Sequence, residues 1–369
     1  MKKLIALLLA LVMVLAMAGC GAKEETKSAG LFYDLTGLDP ATTMLSVDGQ
    51  EVPTEMYLYW VLYAADYVEK NYPSFVGEDG RLKWDELWNE ETTLKECVLD
   101  EALNTAKMYM IVEKWAADYG VVLSEETEKA IDEELAALAE QLGGEEAFEE
   151  YLTQHGITRE TNRRMSKVFY LYANMLSLTK EEGSPLYIED DVLYQYEGVT
   201  EDTVLADHIL VAYPESEEEK ANVRATMEEL RAGIVEQENS VETFNYLADN
   251  YSEDPGRAYN PNGYLVTEDA AFVQSFKDTA LSLEEYEVSE VVESEYGYHI
   301  LIRKPLRDYV ADYYLADLIA VAIENAELVW AEEHESFDVA SFYAAYQDYA
   351  AELESAADAQ TGESTETGK

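Results

Sequence analysis

Two of the four histidines in this chain, His208 and His299, stand in matching hydrophobic runs, Ala-Asp-His208-Ile-Leu-Val and Tyr-Gly-Tyr-His299-Ile-Leu-Ile, about ninety residues apart. An imidazole inside an apolar strand is costly unless partners satisfy its two ring nitrogens. Two such residues bracketing a compact segment predict one polar cluster where their strands meet. Cys97 and scattered histidines cannot assemble a zinc site, and no Asp-x-Asp-x-Asp-Gly calcium loop or nucleophile elbow accompanies them. No metal and no cofactor are expected, and what the cluster does depends on the segment between the two strands.

The elements that must position the pair run from about 202 to 306. Val204 to Tyr213 reads as a strand, and Ser216-Glu-Glu-Glu219 as a capping box opening a helix that closes at Gly233. Phe244, Leu247, Ala248 and Tyr251 recur at helical spacing and mark a second helix facing a core. Asn260-Pro-Asn-Gly263 is turn chemistry. Phe272, Phe276, Ala280 and Leu283 mark a third helix, and Val291-Val292 and Tyr298 to Arg303 two further strands. The order β-α-α-β-α-β-β predicts an α+β domain in which helices cover a small mixed sheet.

Helical text flanks this domain on both sides. In 42–200, a hairpin signal around Asp48-Gly49 leads into amphipathic stretches, including Thr93 to Tyr119, stopped by Gly120, and a helix capped by Ser124. Residues 308–355 are helical again and rich in Tyr, Ala and Glu. Packing 308–355 back on 42–200 would make one helical domain with 202–306 inserted. The polar stretch 356–369 reads as a disordered tail.

The first thirty residues carry an address. Lys2 and Lys3 precede the apolar run Leu4 to Met17, which is too short to span a bilayer and fits a signal peptide over 1–19. Ala18-Gly19-Cys20 resembles a bacterial lipobox, with Met17 where Leu is usual. That resemblance implies lipidation of Cys20, a flexible tether over 20–41, and residence on the extracytoplasmic face of the bacterial cell membrane. The net charge of −52 excludes nucleic acid as a partner, since phosphate contacts need Lys and Arg. With Cys20 lipidated, Cys97 has no disulfide partner and is expected as a small buried helix residue.

Read as a whole, 202–306 resembles a parvulin-type peptidyl-prolyl isomerase domain. The matching text is Ala206-Asp-His208-Ile-Leu-Val, Phe244-x-x-Leu-Ala-x-x-Tyr-Ser-Glu-Asp254-Pro, Phe272-x-x-x-Phe276, Val288-Ser, and Ser294-Glu-Tyr-Gly-Tyr-His299-Ile, in the family's order and spacing. With the lipobox and helical flanks, the chain resembles extracytoplasmic foldase lipoproteins of the PrsA type and shares the helix-flanked layout of SurA. The resemblance implies that His208, His299, Asp254 and Ser294 form the catalytic cluster. It also implies that Phe272, Phe276 and Leu265 contact the substrate proline. The partners it implies are unfolded or partly folded secreted proteins with X-Pro bonds.

The residue types suit that reaction. Twisting an X-Pro amide breaks its resonance, at about 18–20 kcal/mol, and a site lowers that cost with an apolar pocket and polar groups favouring the twisted form. The chain departs from the family at its glycine-rich turn, which here reads Pro261-Asn-Gly-Tyr-Leu265-Val, with Tyr264 and Val266 adding bulk. The loop Pro214-Glu-Ser-Glu-Glu-Glu219 is acidic where phosphate-directed parvulins are basic, which predicts no phospho-dependence. Two functions stay open: an isomerase with chaperone flanks, or a holdase whose parvulin domain is catalytically weak or inactive.

Overall fold

A computed structural model describes residues 30–237 and 240–366. The expected signal peptide and the lipidated Cys20 lie outside the described residues. The chain divides into two compact units: residues up to Met175 together with those from Ala316 onward, and Leu176–Leu315.

The first unit opens with α1 (Leu31–Thr36), which buries Leu31 and Phe32. The flexible tether expected over 20–41 therefore does not extend through this helix: Phe32 is fully buried and packs edge-on against Phe342. The hairpin expected at Asp48-Gly49 is present. β1 (Thr43–Val47) pairs with β2 (Gln50–Pro53), and Val47 lies opposite Gln50 across a turn whose two residues both have positive φ (49° and 80°). That conformation matches the twist of the flanking strands. Five helices follow: α2 (Thr54–Asn71), α3 (Leu94–Asp118), α4 (Glu125–Leu142), α5 (Glu145–Gln154) and α6 (Arg159–Leu178). Thr93 and Glu96 cap α3 reciprocally, and Ser124 caps α4. Cys97 is half-buried on α3.

The second unit begins with α7 (Asp190–Leu193) and then follows the predicted order. β3 (Val204–Ala212), α8 (Glu217–Val235), α9 (Ser240–Tyr251), β4 (Tyr264–Val266), α10 (Gln274–Ser282), β5 (Val292–Glu293) and β6 (Gly297–Lys304) succeed one another. The sheet order is β4-β3-β6-β5 and every pairing is antiparallel, which corrects the mixed sheet expected. Two successive helices return the chain to the end of the sheet it left, so β4 runs back along β3. One sheet face, with Ile209, Ile300 and Ile302, packs on Met227 and Ile234 of α8 and Phe244 and Ala248 of α9. The other, with Val204, Ala206, Val266 and Leu301, packs on Phe276 and Ala280 of α10.

The chain leaves this unit along α11 (Leu306–Asn325), then forms β7 (Leu328–Trp330) and α12 (Val339–Glu366). Three expectations change here. β7 joins β1 to complete a three-stranded sheet in a region expected to be wholly helical. The segment 176–200 and the start of α11 belong to the α+β unit, because Ile188, Leu193 and Val199 bury themselves against Val310 and Ala311. That unit is therefore larger than 202–306. Finally, α12 continues to Glu366 where a disordered tail from 356 was expected; no proline interrupts it, and extending a helix costs less than starting one.

Candidate active site

Register places the histidines. His208 lies opposite Leu301 and His299 opposite Leu210, so the two imidazoles are diagonal neighbours on one face of the β3–β6 pair. Their rings lie nearly parallel (14°), with centroids 5.2 Å apart and Nδ1 atoms 3.1 Å apart. Both are buried, at 7% and 3% exposure.

Asp254 reaches them from the loop after α9, which is stitched to the end of β3. Glu253 N–H donates to the Leu210 carbonyl (2.8 Å), and Leu210 N–H donates to Ser252 Oγ (3.1 Å). The Asp254 carboxylate then accepts from Gly256 N–H at Oδ1 (3.0 Å) and pairs with His208 Nε2 at Oδ2 (3.0 Å). Ser294 arrives from the tight turn between β5 and β6, where its N–H donates to the Gly297 carbonyl (3.0 Å). Its Oγ accepts from Tyr296 N–H (3.1 Å) and lies 2.6 Å from His299 Nε2.

These contacts form a chain whose proton order follows from its end. The carboxylate of Asp254 demands a donor, so His208 carries its proton on Nε2. With both rings neutral, His208 Nδ1 is then bare and accepts from His299 Nδ1–H, and His299 Nε2 accepts the Ser294 hydroxyl proton. One further proton on His208 Nδ1 would reverse the bonds beyond it and release the serine hydroxyl. Burial, and next the repulsion of His208, lower the His299 pKa to about 4. Burial alone would raise the Asp254 pKa; the hydrogen bonds from Tyr264, His208 and Gly256 outweigh it and hold the carboxyl below its ordinary value.

Aromatic rings cover this polar row. Phe276 of α10 meets His208 edge-on (5.1 Å, 85°) and His299 at 6.0 Å, and Phe272 stacks on Phe276 at 5.2 Å. Phe272 precedes α10 rather than lying on it, and is half-buried. Phe276 is nearly fully buried.

Leu265, expected to contact substrate, is not gathered with these residues. It lies opposite Leu205 on the other face of β4 and packs against the cluster of Ile188, Leu193 and Val199. Its neighbour Tyr264 takes the site-facing position instead, opposite Ala206, and donates from its hydroxyl to Asp254 Oδ2 (2.5 Å). Successive side chains of a strand point to opposite faces, so Tyr264 and Leu265 cannot both face the site. Gly263 itself has φ +107°, and a Cβ there would lie 2.8 Å from the Ala206 carbonyl, so β4 can reach β3 only through glycine.

Beneath the site lies a charged cluster that the sequence pattern does not reveal. Asp207, fully buried, accepts from Lys304 Nζ (2.7 Å), Arg257 Nη1 (2.6 Å) and the N–H of His208 (2.8 Å). Arg257 also holds Asp249, so the pair ties the Asp254 loop to both α9 and β3. An aspartate beside the histidine and two cations at the ends of matching segments were its only sequence signal.

Comparison with known proteins agrees with this geometry. The model of the Rotamase family, described as a PPIC-type PPIase domain, matches residues 208–304, from the first site histidine to the end of β6. The chain is 29% identical over 217 residues to the Foldase protein PrsA of Halalkalibacterium halodurans, covering 57% of this chain and 60% of that protein. It is 25% identical over 213 residues to the Foldase protein PrsA of Staphylococcus aureus, covering 57% and 61%. The chain thus spans about three fifths of the length of the curated relatives it matches. The crystal structure of PrsA from Bacillus subtilis matches 72% of this chain and 91% of its own at 20% identity and a TM-score of 0.26, too low to argue from overall shape. On the family match and the strand-borne histidine pair together, the α+β unit of this chain carries a PPIC-type PPIase domain of the parvulin class.

Proposed function

We propose that the α+β unit isomerises X-Pro peptide bonds in secreted proteins folding outside the cytoplasm, and that the chain acts there anchored through lipid on Cys20. The observation that carries the reading is the continuous chain Asp254–His208–His299–Ser294 beneath the rings of Phe276 and Phe272. A planar amide owes much of its polarity to resonance that the twisted form has lost, so a water-poor aromatic wall favours the twisted form. The prolyl ring rests against Phe272 and Phe276, while His208, His299, Asp254 and Ser294 form a polar floor whose protons adjust to the rotating bond. No nucleophile is consumed and no bond is broken.

The loop after β3 supports indifference to phosphate. Lys220, which follows the acidic run, is paired with Glu217, and Arg224 with Glu228 and Glu293. A phosphorylated substrate would meet carboxylates rather than free cations.

A second reading, a holdase with a weak isomerase domain, has its own support. Tyr264 packs edge-on against Phe272 (5.6 Å) and narrows the space the aromatic wall offers a proline. In the helical unit, Tyr67, Tyr72, Trp88 and Phe75 touch in sequence, with Tyr67, Tyr72 and Leu87 exposed, a surface suited to apolar client segments. A protease-coupled assay of the full chain on X-Pro tetrapeptides separates the readings. The isomerase reading expects turnover above background, lost in His208→Ala and not improved by phosphorylation before the proline. Background rates with intact suppression of client aggregation would leave only the holdase.

A further inference from the structure

Two donors converge on a single oxygen of Asp254. Oδ2 accepts from the Tyr264 hydroxyl at 2.5 Å and from His208 Nε2 at 3.0 Å. The tyrosine comes from β4, and its ring meets His208 nearly perpendicular at 5.6 Å. Gly256 completes the arrangement. Its backbone (φ −77°, ψ −19°) is one any residue adopts, so conformation does not require glycine there. Space does: a Cβ on residue 256 would lie 2.4 Å from the Tyr264 hydroxyl oxygen. The glycine in this loop leaves room for the phenol of a strand that begins eight residues later.

We propose that Tyr264 is a positioning residue of the site, with Gly256 as the cleft that admits it. The phenol holds Asp254 as an acceptor in one orientation, which keeps His208 protonated on Nε2 and sets the direction of every bond through His299 to Ser294. The kinetic consequence rests on the isomerase reading; the structural one does not.

The charged and titratable groups around this contact are few. Asp254 faces His208 from β3 and Tyr264 from β4. Tyr264 faces Asp254 and, more distantly, Asp207, whose charge is met by Arg257 and Lys304. His299 faces His208 and Ser294. Among the described residues, no other side chain donates to Oδ2 of Asp254, so loss of the phenol hydroxyl leaves that oxygen to His208 alone.

Tyr264→Phe keeps the ring and removes the donor. Imidazole nitrogen NMR on the full chain should show His208 as the Nε2–H tautomer and His299 as the Nδ1–H tautomer in the wild type. In Tyr264→Phe the carboxylate is more basic, so the histidine pair should take up its proton about half a pH unit or more higher. The acid edge of isomerisation should move with it, and kcat should fall about threefold to tenfold with KM little changed. A residue that merely fills space would leave that midpoint where it is. Gly256→Ala provides the second arm. Alone it should displace the phenol and shift the midpoint as Tyr264→Phe does; in the Tyr264→Phe background it should shift nothing further, because the clash is with the hydroxyl. An unmoved midpoint in Tyr264→Phe, or additive shifts in the double variant, overturns the proposal. A wild type without isomerase activity would count against the function proposed above, while the NMR midpoints would still decide this inference.

Discussion

Nδ1 of His208 lies 3.1 Å from Nδ1 of His299, so the two rings share one proton and cannot each place one between them. The pair is therefore one unit, and its state is set at one end by Asp254 and reported at the other by Ser294.

Truncating either ring should remove the chain's centre. His208→Ala and His299→Ala should each lower kcat/KM for an X-Pro peptide by about a hundredfold. The double variant should be little worse than either single one, because groups acting as a unit are not additive. A double loss equal to the product of the single losses would mean that the rings act separately.

Acid should weaken the sheet that carries the two histidines. The folded value for His299 is about 4, below its ordinary 6.5. As pH falls from about 6.5 to about 4, the unfolded chain takes up a proton that the folded site refuses. Stability is then lost over that window, on the order of a few kcal/mol, and is regained as pH rises. Asp254, held below its ordinary value, adds a further loss only at lower pH. All five tryptophans (Trp60, Trp84, Trp88, Trp115 and Trp330) lie in the helical unit, so amide exchange of β3 and β6 is the appropriate measurement. Equal protection of those strands at pH 7 and pH 4.5 would contradict the assignment.

Asp207→Asn should be costly despite its distance from the substrate face. It leaves Lys304, 6% exposed, and Arg257 without their shared carboxylate. Breaking a buried ion pair from one side costs about 3–5 kcal/mol. Chemical denaturation followed by exchange of β3 amides should show that loss, with the Asp254 loop loosened alongside it.

Leu265→Ala tests where β4 turns its side chains. Leu265 packs away from the histidines, so the variant should lose about 1–3 kcal/mol of stability and keep its KM for peptide. A raised KM at unchanged stability would return Leu265 to the substrate face.

What the sequence showed and what it hid follow from element length. β3 and β6 are long and rich in Ile, Leu and Val, so their existence, and a polar cluster where His208 and His299 meet, could be read directly. β4 has three residues, too few for alternation to reveal which of Tyr264 and Leu265 faces the site. β7 reads Leu-Val-Trp, an apolar triplet without periodicity, and becomes a strand only because β1 offers it a free edge. Ile188 and Val199 are scattered in irregular chain, and only their burial against Val310 shows that they belong to the α+β unit. Asp254 was found through the spacing of its motif, but Tyr264 stood out only as bulk in a glycine-rich turn. Its hydroxyl contact needs three dimensions.

The central claim is that the Asp254–His208–His299–Ser294 chain speeds rotation about a prolyl bond. Exchange NMR on an X-Pro peptide, mixed with a small amount of full-length protein, measures that rotation without a coupling protease. The expected result is cis–trans exchange cross-peaks at mixing times far shorter than the tens to hundreds of seconds of the uncatalysed reaction, which disappear with His208→Ala. Cross-peaks of equal intensity with the wild type and with His208→Ala would contradict the account.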